Sequence, residues 1–173
     1  MISTEVKIPE NVKVEIDGSK VRVFGEKGEL ERSFPKKGIK IELSEGKIII
    51  SSESERRSFR ALIGTLASHI KNMIEGVTKG FSYRLRVVYS HFPITVKLEG
   101  DKVLIQNFLG ERVPRVAKIV GKTQVKIEGQ EIIVSGINLE EVSQTAANIE
   151  QACRIVGYDR RKFMDGIFLV SRE

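Results

Sequence analysis

The segment Val120-Gly121-Lys122-Thr123 contains the Gly-Lys-Thr sequence with which a phosphate-binding P-loop ends. In such a loop, backbone N–H groups and a lysine would hold the phosphates of a nucleotide. The full pattern needs a second glycine five residues earlier, and the sequence has Val116 there. Dinucleotide-binding, zinc-protease, nucleophile-elbow and calcium-loop motifs do not occur either. The sequence therefore gives no support for nucleotide hydrolysis or for these other activities.

The residues that most often do chemistry are few in this chain. His69 precedes a predicted core position of a helix, and His91 lies in a predicted linker, with no nucleophile or carboxylate placed beside either by local spacing. Cys153, the single cysteine, continues an apolar helical stripe, which is typical of a small buried side chain. One cysteine excludes an internal disulfide and a zinc site built on cysteine pairs. We expect no catalysis, no metal, no cofactor and no small-molecule substrate.

Positive charge is the property that does suggest a partner. The chain has 29 Lys plus Arg and 23 Asp plus Glu, a net charge of +6, which favours a polyanion such as nucleic acid. Basic residues cluster in three stretches that contain almost no acid, 76–98, 112–127 and 154–162. Phosphate contacts need little more than such donors on a rigid scaffold, although an ordinary solvated surface is the alternative for any one stretch. Aromatic residues make up only 6%, so we expect recognition of backbone and shape rather than base stacking.

These candidate residues belong to a chain that contains its own repeat. Residues 12–29 match 94–111 at a constant shift of 82, and 41–50 match 125–134 at a shift of 84. Each matched segment alternates apolar and polar residues on both sides of a glycine-bearing turn, which predicts a β-hairpin with one buried face. Each half of the chain therefore contains two hairpins.

A helix is predicted after each second hairpin, because apolar residues recur with the 3.6-residue period of an α-helix. We expect Ser52 and Glu55 to form a capping box at the first helix and Gly76 to end it. The second helix is expected to begin after Asn138 and to stop at Gly157.

One further strand is predicted after each helix, at 81–89 and 167–170. The repeating unit is then hairpin, hairpin, helix, strand. This order indicates an α+β fold in which a small, mostly antiparallel sheet, present as a tandem duplication, is covered on one face by one helix. The predicted domains are residues 1–90 and 91–173, with Pro93 near the boundary.

Longer stretches identify a family. The segment SHIKNMIEGVTKGFSYRLRVVYSHFPI, residues 68–94, resembles the archaeal and eukaryotic branch of the universal large-subunit ribosomal protein six family. Asn107 to Glu111, Gln151-Ala152 and Arg161 to Phe168 resemble it as well. That family is similar in having two copies of one α+β domain.

The resemblance implies a non-catalytic, structural component of the large ribosomal subunit that binds large-subunit ribosomal RNA near the translation-factor-binding region, close to the sarcin-ricin loop. Neighbouring ribosomal proteins and nearby translation factors are the other implied partners. Since the family makes most RNA contact through the second domain and its C-terminal segment, the resemblance assigns Arg154, Arg160, Arg161 and Lys162 to phosphates. Phe163 and Gly166 then have structural roles, and Tyr158 stands where the family usually has a basic residue. The stretch 112–127, which contains no acidic residue, adds four candidate RNA contacts: Arg112, Arg115, Lys118 and Lys122.

Two further expectations follow. No apolar run approaches the roughly 20 residues of a membrane span, and the segment Met1 to Lys7 contains Glu5 and no apolar core of a signal peptide. We therefore expect a cytoplasmic protein, within the large ribosomal subunit, and no membrane partner. The alternative function is a protein interaction module that binds an acidic partner through exposed sheet edges and its basic surface.

Overall fold

The computed structural model describes residues 1–35 and 37–173 and divides the chain into two compact units, Met1–Gly80 and Phe81–Glu173. Each unit contains two small sheets and one α-helix, and every strand pairing of the described residues is antiparallel. The predicted α+β class with its duplicated sheet and helix is confirmed.

The first unit consists of six strands followed by a helix. In chain order these are β1 (Ile2–Lys7), β2 (Lys13–Asp17), β3 (Lys20–Gly25), β4 (Gly28–Ser33), β5 (Lys40–Ser44), β6 (Lys47–Ser52) and α1 (Arg57–Thr78). The strand orders are β1-β6-β5 in one sheet and β2-β3-β4 in the other, and α1 contacts strands of both. Alternating valines and isoleucines of the hairpins, such as Val23 and Ile48, are fully buried against Ile70 of α1.

The second unit has the same plan with one strand added. In chain order its elements are β7 (Phe81–Val88), β8 (Thr95–Glu99), β9 (Lys102–Gln106), β10 (Arg115–Lys118), β11 (Gln124–Glu128), β12 (Glu131–Gly136), α2 (Leu139–Ala152) and β13 (Gly166–Arg172). The sheets have the orders β11-β12-β7-β13 and β10-β9-β8. Ile105, Ile132 and Ile149 are fully buried in the core between these sheets and α2.

The repeat begins with a strand rather than ending with one, which corrects the predicted order of elements. β7, predicted to close the first copy, pairs with β12 and β13 of the second unit. Its position beside β12 is the position that β1 has beside β6, and β1 was not predicted. The structural division at Gly80 and Phe81 therefore lies ten residues before the predicted boundary of 1–90 and 91–173, because hydrogen bonding of β7 is decided by strands distant in sequence.

The ends of α1 also differ from the prediction. Arg56 is the N-cap residue without a side-chain cap, while the Ser52 hydroxyl accepts a hydrogen bond from the Ser54 N–H at 3.3 Å. Gly76 is buried inside the helix, and the left-handed residue after it is Gly80, with φ of +77°. Neither helix in the described part of the chain is long and apolar enough to cross a membrane.

Candidate nucleic-acid interface

All eight predicted RNA contacts lie in the second unit, arranged around α2. α2 begins as predicted, because the Asn138 side chain accepts a hydrogen bond from the Glu140 N–H at 3.1 Å. It ends at Ala152, before the predicted Gly157. Its buried residues Val142, Ala146 and Ile149 pack one face of the helix against the core, and the opposite face is turned to solvent.

The chain segment from β10 into the next turn runs beside α2 in the opposite direction. Asn148 Nδ2 donates to the Lys118 carbonyl at 3.0 Å, and the Thr145 hydroxyl accepts from the Val120 N–H at 3.0 Å. The Glu141 carboxylate accepts from the Lys122 N–H at 3.3 Å. These bonds use backbone groups of the segment, and the side chains of Lys118 and Lys122 are exposed to solvent.

Gly121 explains the resemblance to a phosphate loop. Its φ is +60°, and a Cβ at this position would collide with the Glu141 carboxylate. The glycine therefore permits a tight turn under the first turn of α2. An acidic side chain, rather than a phosphate, occupies the space beside this turn, in agreement with the rejected P-loop pattern.

Arg115 differs from the other seven candidates because its guanidinium is used inside the protein. It donates to both carboxylate oxygens of Glu111, at 3.0 and 2.8 Å, and to the carbonyls of Ala152 and Arg154, at 3.0 and 2.8 Å. The guanidinium also lies 4.4 Å from the centre of the Phe108 ring. The Glu111 hydrogen bond raises the pKa of Arg115 above its ordinary value. Arg115 thereby satisfies carbonyls at the C-terminal end of α2 and fixes the backbone at Arg154.

Arg115→Ala is expected to lower the free energy of unfolding by about 2 kcal/mol, because charge-assisted hydrogen bonds are lost from a side chain that is only 26% exposed. Arg115→Lys should recover little, since a lysine cannot reproduce the planar fork. Urea unfolding measures both changes, with exposed Arg112→Ala as the matched control of little effect. Equal stability of wild type and Arg115→Ala would contradict the positioning role.

A tight turn presents three cations together. The Asp159 carboxylate accepts from the Arg161 N–H at 3.0 Å, and the Asp159 carbonyl accepts from Lys162 and Phe163 at 3.0 and 2.8 Å. Arg160, Arg161 and Lys162 are all exposed on this turn. Arg161 also pairs with Asp159 at 3.2 Å, but its side chain is 91% exposed, and such surface pairs contribute little. The one acid of this stretch thus shapes the turn that presents the cations.

Phe163 anchors that turn to the second unit, as the resemblance implied. Its ring is stacked on His91, with centroids 4.5 Å apart, and Tyr158 lies tilted against it at 4.8 Å. Phe163 is partly buried and packs against the core. Tyr158 therefore contributes an aromatic contact within the protein.

Asp165 is a buried carboxylate that the sequence pattern did not single out. Its Oδ1 accepts from the Ser90 N–H and hydroxyl at 3.3 and 3.1 Å and lies 3.5 Å from His91 Nδ1. Burial raises the pKa of Asp165, but the hydrogen bonds from His91 and Ser90 outweigh that effect and hold it below its ordinary value. The side chain therefore remains ionised and ties the segment after the turn to the residues that follow β7.

The three residues Ser90, His91 and Asp165 do not form a catalytic triad. In a triad the serine contacts one ring nitrogen of the histidine and the carboxylate contacts the other. Here the Ser90 hydroxyl, at 3.1 Å, and the Asp165 carboxylate, at 3.5 Å, both lie at Nδ1, and they also bond to each other.

No cluster of three or more potential metal ligands occurs in residues 1–35 and 37–173.

Gly166 completes the anchor. Its φ is +156°, and a Cβ would lie 3.1 Å from the Phe168 ring and 3.6 Å from the Cys153 carbonyl. The Phe168 ring would have to move to admit a side chain, and the positive φ is one that residues other than glycine rarely adopt, so the turn into β13 favours glycine. Burial raises the pKa of Cys153 to about 12, which fits the predicted inert, buried thiol.

The structure brings some predicted residues together and separates others. Arg154 and Arg160 line the same cavity, and Arg161 and Lys162 follow on the adjoining turn. Lys118 and Lys122 lie farther along α2, and Arg112 is exposed in the loop before β10.

Sequence reasoning missed the residues whose hydrogen bonds hold the segments that carry the candidate RNA contacts: Asn148, Thr145, Ser90 and Asp165. Each acts on a partner between 25 and 75 positions away, so local spacing carries no signal of it. Two of the segments that carry the family resemblance, 68–94 and 161–168, do include Ser90 and Asp165.

Similarity to known proteins covers both units. Residues 8–80 and 92–166 match the family model described as ribosomal protein L6. The large ribosomal subunit protein uL6 of Ignicoccus hospitalis is 53% identical over 173 residues, covering 97% of this chain and 93% of that protein. The protein of the same name from Methanosarcina mazei is 50% identical, covering 99% and 97%. That of Aeropyrum pernix is also 50% identical, covering 97% and 93%.

Proposed function

The chain belongs to the ribosomal protein L6 family, and we propose that it binds large-subunit ribosomal RNA through its second unit, near the translation-factor-binding region and the sarcin-ricin loop. As a member of this family it is a structural component of the large ribosomal subunit in the cytoplasm rather than an enzyme.

The turn at 159–163 is the observation that carries the RNA-binding proposal. Three exposed cations project from this turn, in which the three consecutive backbone N–H groups of residues 161–163 donate to Asp159. Contacts of Phe163 and Asp165 hold the turn against the rest of the second unit. Because the backbone of the turn is already fixed, less conformational entropy is lost when the side chains contact phosphates. Cations held in this way favour a polyanion over water as their partner.

A second set of contacts extends along α2. Exposed Lys118 and Lys122 and the loop residue Arg112 add phosphate contacts, and Arg154 adds one at the end of the helix. Residues 141 to 152 span about 16 Å at the rise of an α-helix. Arg115 contributes indirectly, because its guanidinium donates a hydrogen bond to the Arg154 carbonyl and so fixes the backbone at that residue.

Partners other than RNA follow from the proposed location. Neighbouring large-subunit proteins would contact the remaining surface, and translation factors would bind nearby without this chain taking part in their chemistry. The competing function, a module for an acidic protein, uses the same cations but predicts no preference for RNA.

The proposal is tested by measuring how affinity for a transcribed large-subunit RNA fragment spanning the sarcin-ricin loop changes with salt. Seven phosphate contacts, all the candidates except Arg115, predict a log–log slope of about −5 to −6. An equally long fragment from a distant part of the same RNA is the control and should bind more weakly. A salt-independent affinity, or equal affinity for both fragments, would count against the proposal.

Co-sedimentation separates the two candidate functions. At about 0.15 M salt, where phosphate contacts still hold, a subunit component should sediment with purified large subunits, whereas a module for an acidic protein should stay in the supernatant.

A further inference from the structure

A cavity of about 760 Å³ lies in the second unit, among the C-terminal end of α2, the segment after it and the start of β13. Its volume is within the range of about 300–1,000 Å³ typical of small-molecule sites. Most of its wall is apolar. The apolar wall includes Val88, Cys153, Ile155, Met164, Ile167 and Phe168.

Part of this apolar wall is open to solvent. The Met164 side chain is 63% exposed and Phe168 is 45% exposed, while Cys153 and Ile167 are buried below them. Scattered exposed apolar residues need no explanation, but apolar residues that line one concave site indicate a binding surface. An occupant must therefore present an apolar face to this cavity.

The polar residues of the cavity restrict that occupant further. Arg154 and Arg160 both line it, and neither side chain forms a hydrogen bond or ion pair with another described residue. Glu150 and Gln151 are the other exposed polar residues of the wall, since the Asp165 side chain is buried. An apolar protein side chain placed here would cover two arginines without giving them a partner, which is costly.

We propose that the cavity receives one unstacked nucleobase of the bound RNA, with its ring against Met164 and Phe168 and its flanking phosphates on Arg154 and Arg160. A nucleotide joins a flat, largely apolar ring to an anionic phosphate, which is the combination that this cavity and its arginines complement. Bases of loops and bulges are the ones that proteins take up, because little stacking must be broken. The inference rests on the proposed RNA-binding function and adds to it a base-binding site beyond the phosphate contacts.

The three methionines of the chain offer a direct test on the unmodified protein. Methyl NMR of the full-length protein with ¹³C-labelled methionine would follow Met164 in the cavity wall, exposed Met1 and buried Met73 during titration with the sarcin-ricin RNA fragment. A base stacked against the wall should move the Met164 methyl signal upfield, while Met1 and Met73 remain unchanged as internal controls.

Filling the cavity gives an independent measurement. Ala147 lies on α2, lines the cavity and is partly exposed, so Ala147→Phe places a ring in the cavity without enlarging a core side chain. Affinity for the RNA should fall about 5- to 150-fold, the range expected for one lost base stack. The salt slope should stay the same, because no phosphate contact is removed. Ala61 is exposed on α1, so Ala61→Phe is the matched control and should bind as wild type does.

The outcomes separate this inference from the proposed function. An upfield shift of Met164 together with weaker binding of Ala147→Phe supports the base-binding site. RNA binding with an unmoved Met164 signal overturns the inference and leaves the proposed function intact, whereas absence of RNA binding overturns both. Normal RNA affinity of Ala147→Phe, with poorer incorporation into large subunits, would instead assign the cavity to a neighbouring protein.

Discussion

Replacing Arg160, Arg161 and Lys162 together by alanine is expected to weaken binding to the large-subunit RNA fragment about 100-fold at 0.15 M salt. Each phosphate contact contributes a log–log slope of about −0.7 to −0.9, which at this salt corresponds to roughly a four- to fivefold gain in affinity. Three lost contacts should therefore also make the salt slope shallower by about 2 to 3. Fluorescence titration between about 0.05 and 0.5 M salt measures both quantities.

Net charge alone would produce a similar loss anywhere on the chain, so the control must remove the same charge elsewhere. Arg56, Arg57 and Arg60 are exposed in the first unit, and their triple alanine variant has the same net charge as the test variant. We expect this control to lose much less affinity and to keep its salt slope. Equal losses in the two triple variants would show that the turn at 159–163 is not the contact.

The stability of the test variant should be close to that of wild type. The three side chains are exposed, and the turn is held by Asp159 and by backbone groups that alanine retains. A large loss of stability would mean that the lower affinity reflects unfolding rather than missing contacts.

Local periodicity predicted the hairpins and helices because their information is contained in neighbouring residues. Val21 and Val23 alternate with polar residues and are fully buried, as are Val103 and Ile105 in the matching hairpin. The same alternation at β7 showed a strand but could not show its partners. Those partners begin about 45 and 80 residues downstream, so the order of elements in the repeat was misread.

The exposure of the candidate RNA contacts could be predicted from charge pattern, but their internal contacts could not. The acid-free stretch 112–127 correctly selected residues that are exposed, including Lys118 and Lys122. The same criterion selected Arg115, whose donors are used by carbonyls 37 and 39 residues away and by Glu111, just outside the stretch considered. Whether a cation faces solvent or caps a helix depends on contacts distant in sequence, and a charge pattern does not contain them.

Replacing the buried carboxylate of Asp165 is expected to affect both the stability of the fold and the binding of RNA. Asp165→Ala is expected to lower the free energy of unfolding by about 1.5–3 kcal/mol, because the hydrogen bonds that the Ser90 N–H and hydroxyl donate to this buried, charged side chain are lost. Asp165→Asn should cost less, since the amide oxygen can still accept. Both variants should also weaken RNA binding, because the turn carrying Arg160 is no longer held firmly to the residues after β7.

The dependence of stability on pH identifies the charge of Asp165 as the cause. Its pKa is lower in the folded protein than the value of about 3.9 in an unfolded chain. The stabilisation is therefore complete above about pH 4 and is lost as the pH falls through the lower folded value. Urea unfolding of wild type should show this loss, and Asp165→Asn should lack that part of the slope. Exposed Asp101→Asn is the control and should keep it; identical pH profiles for wild type and Asp165→Asn would show that the carboxylate does not stabilise the fold through its charge.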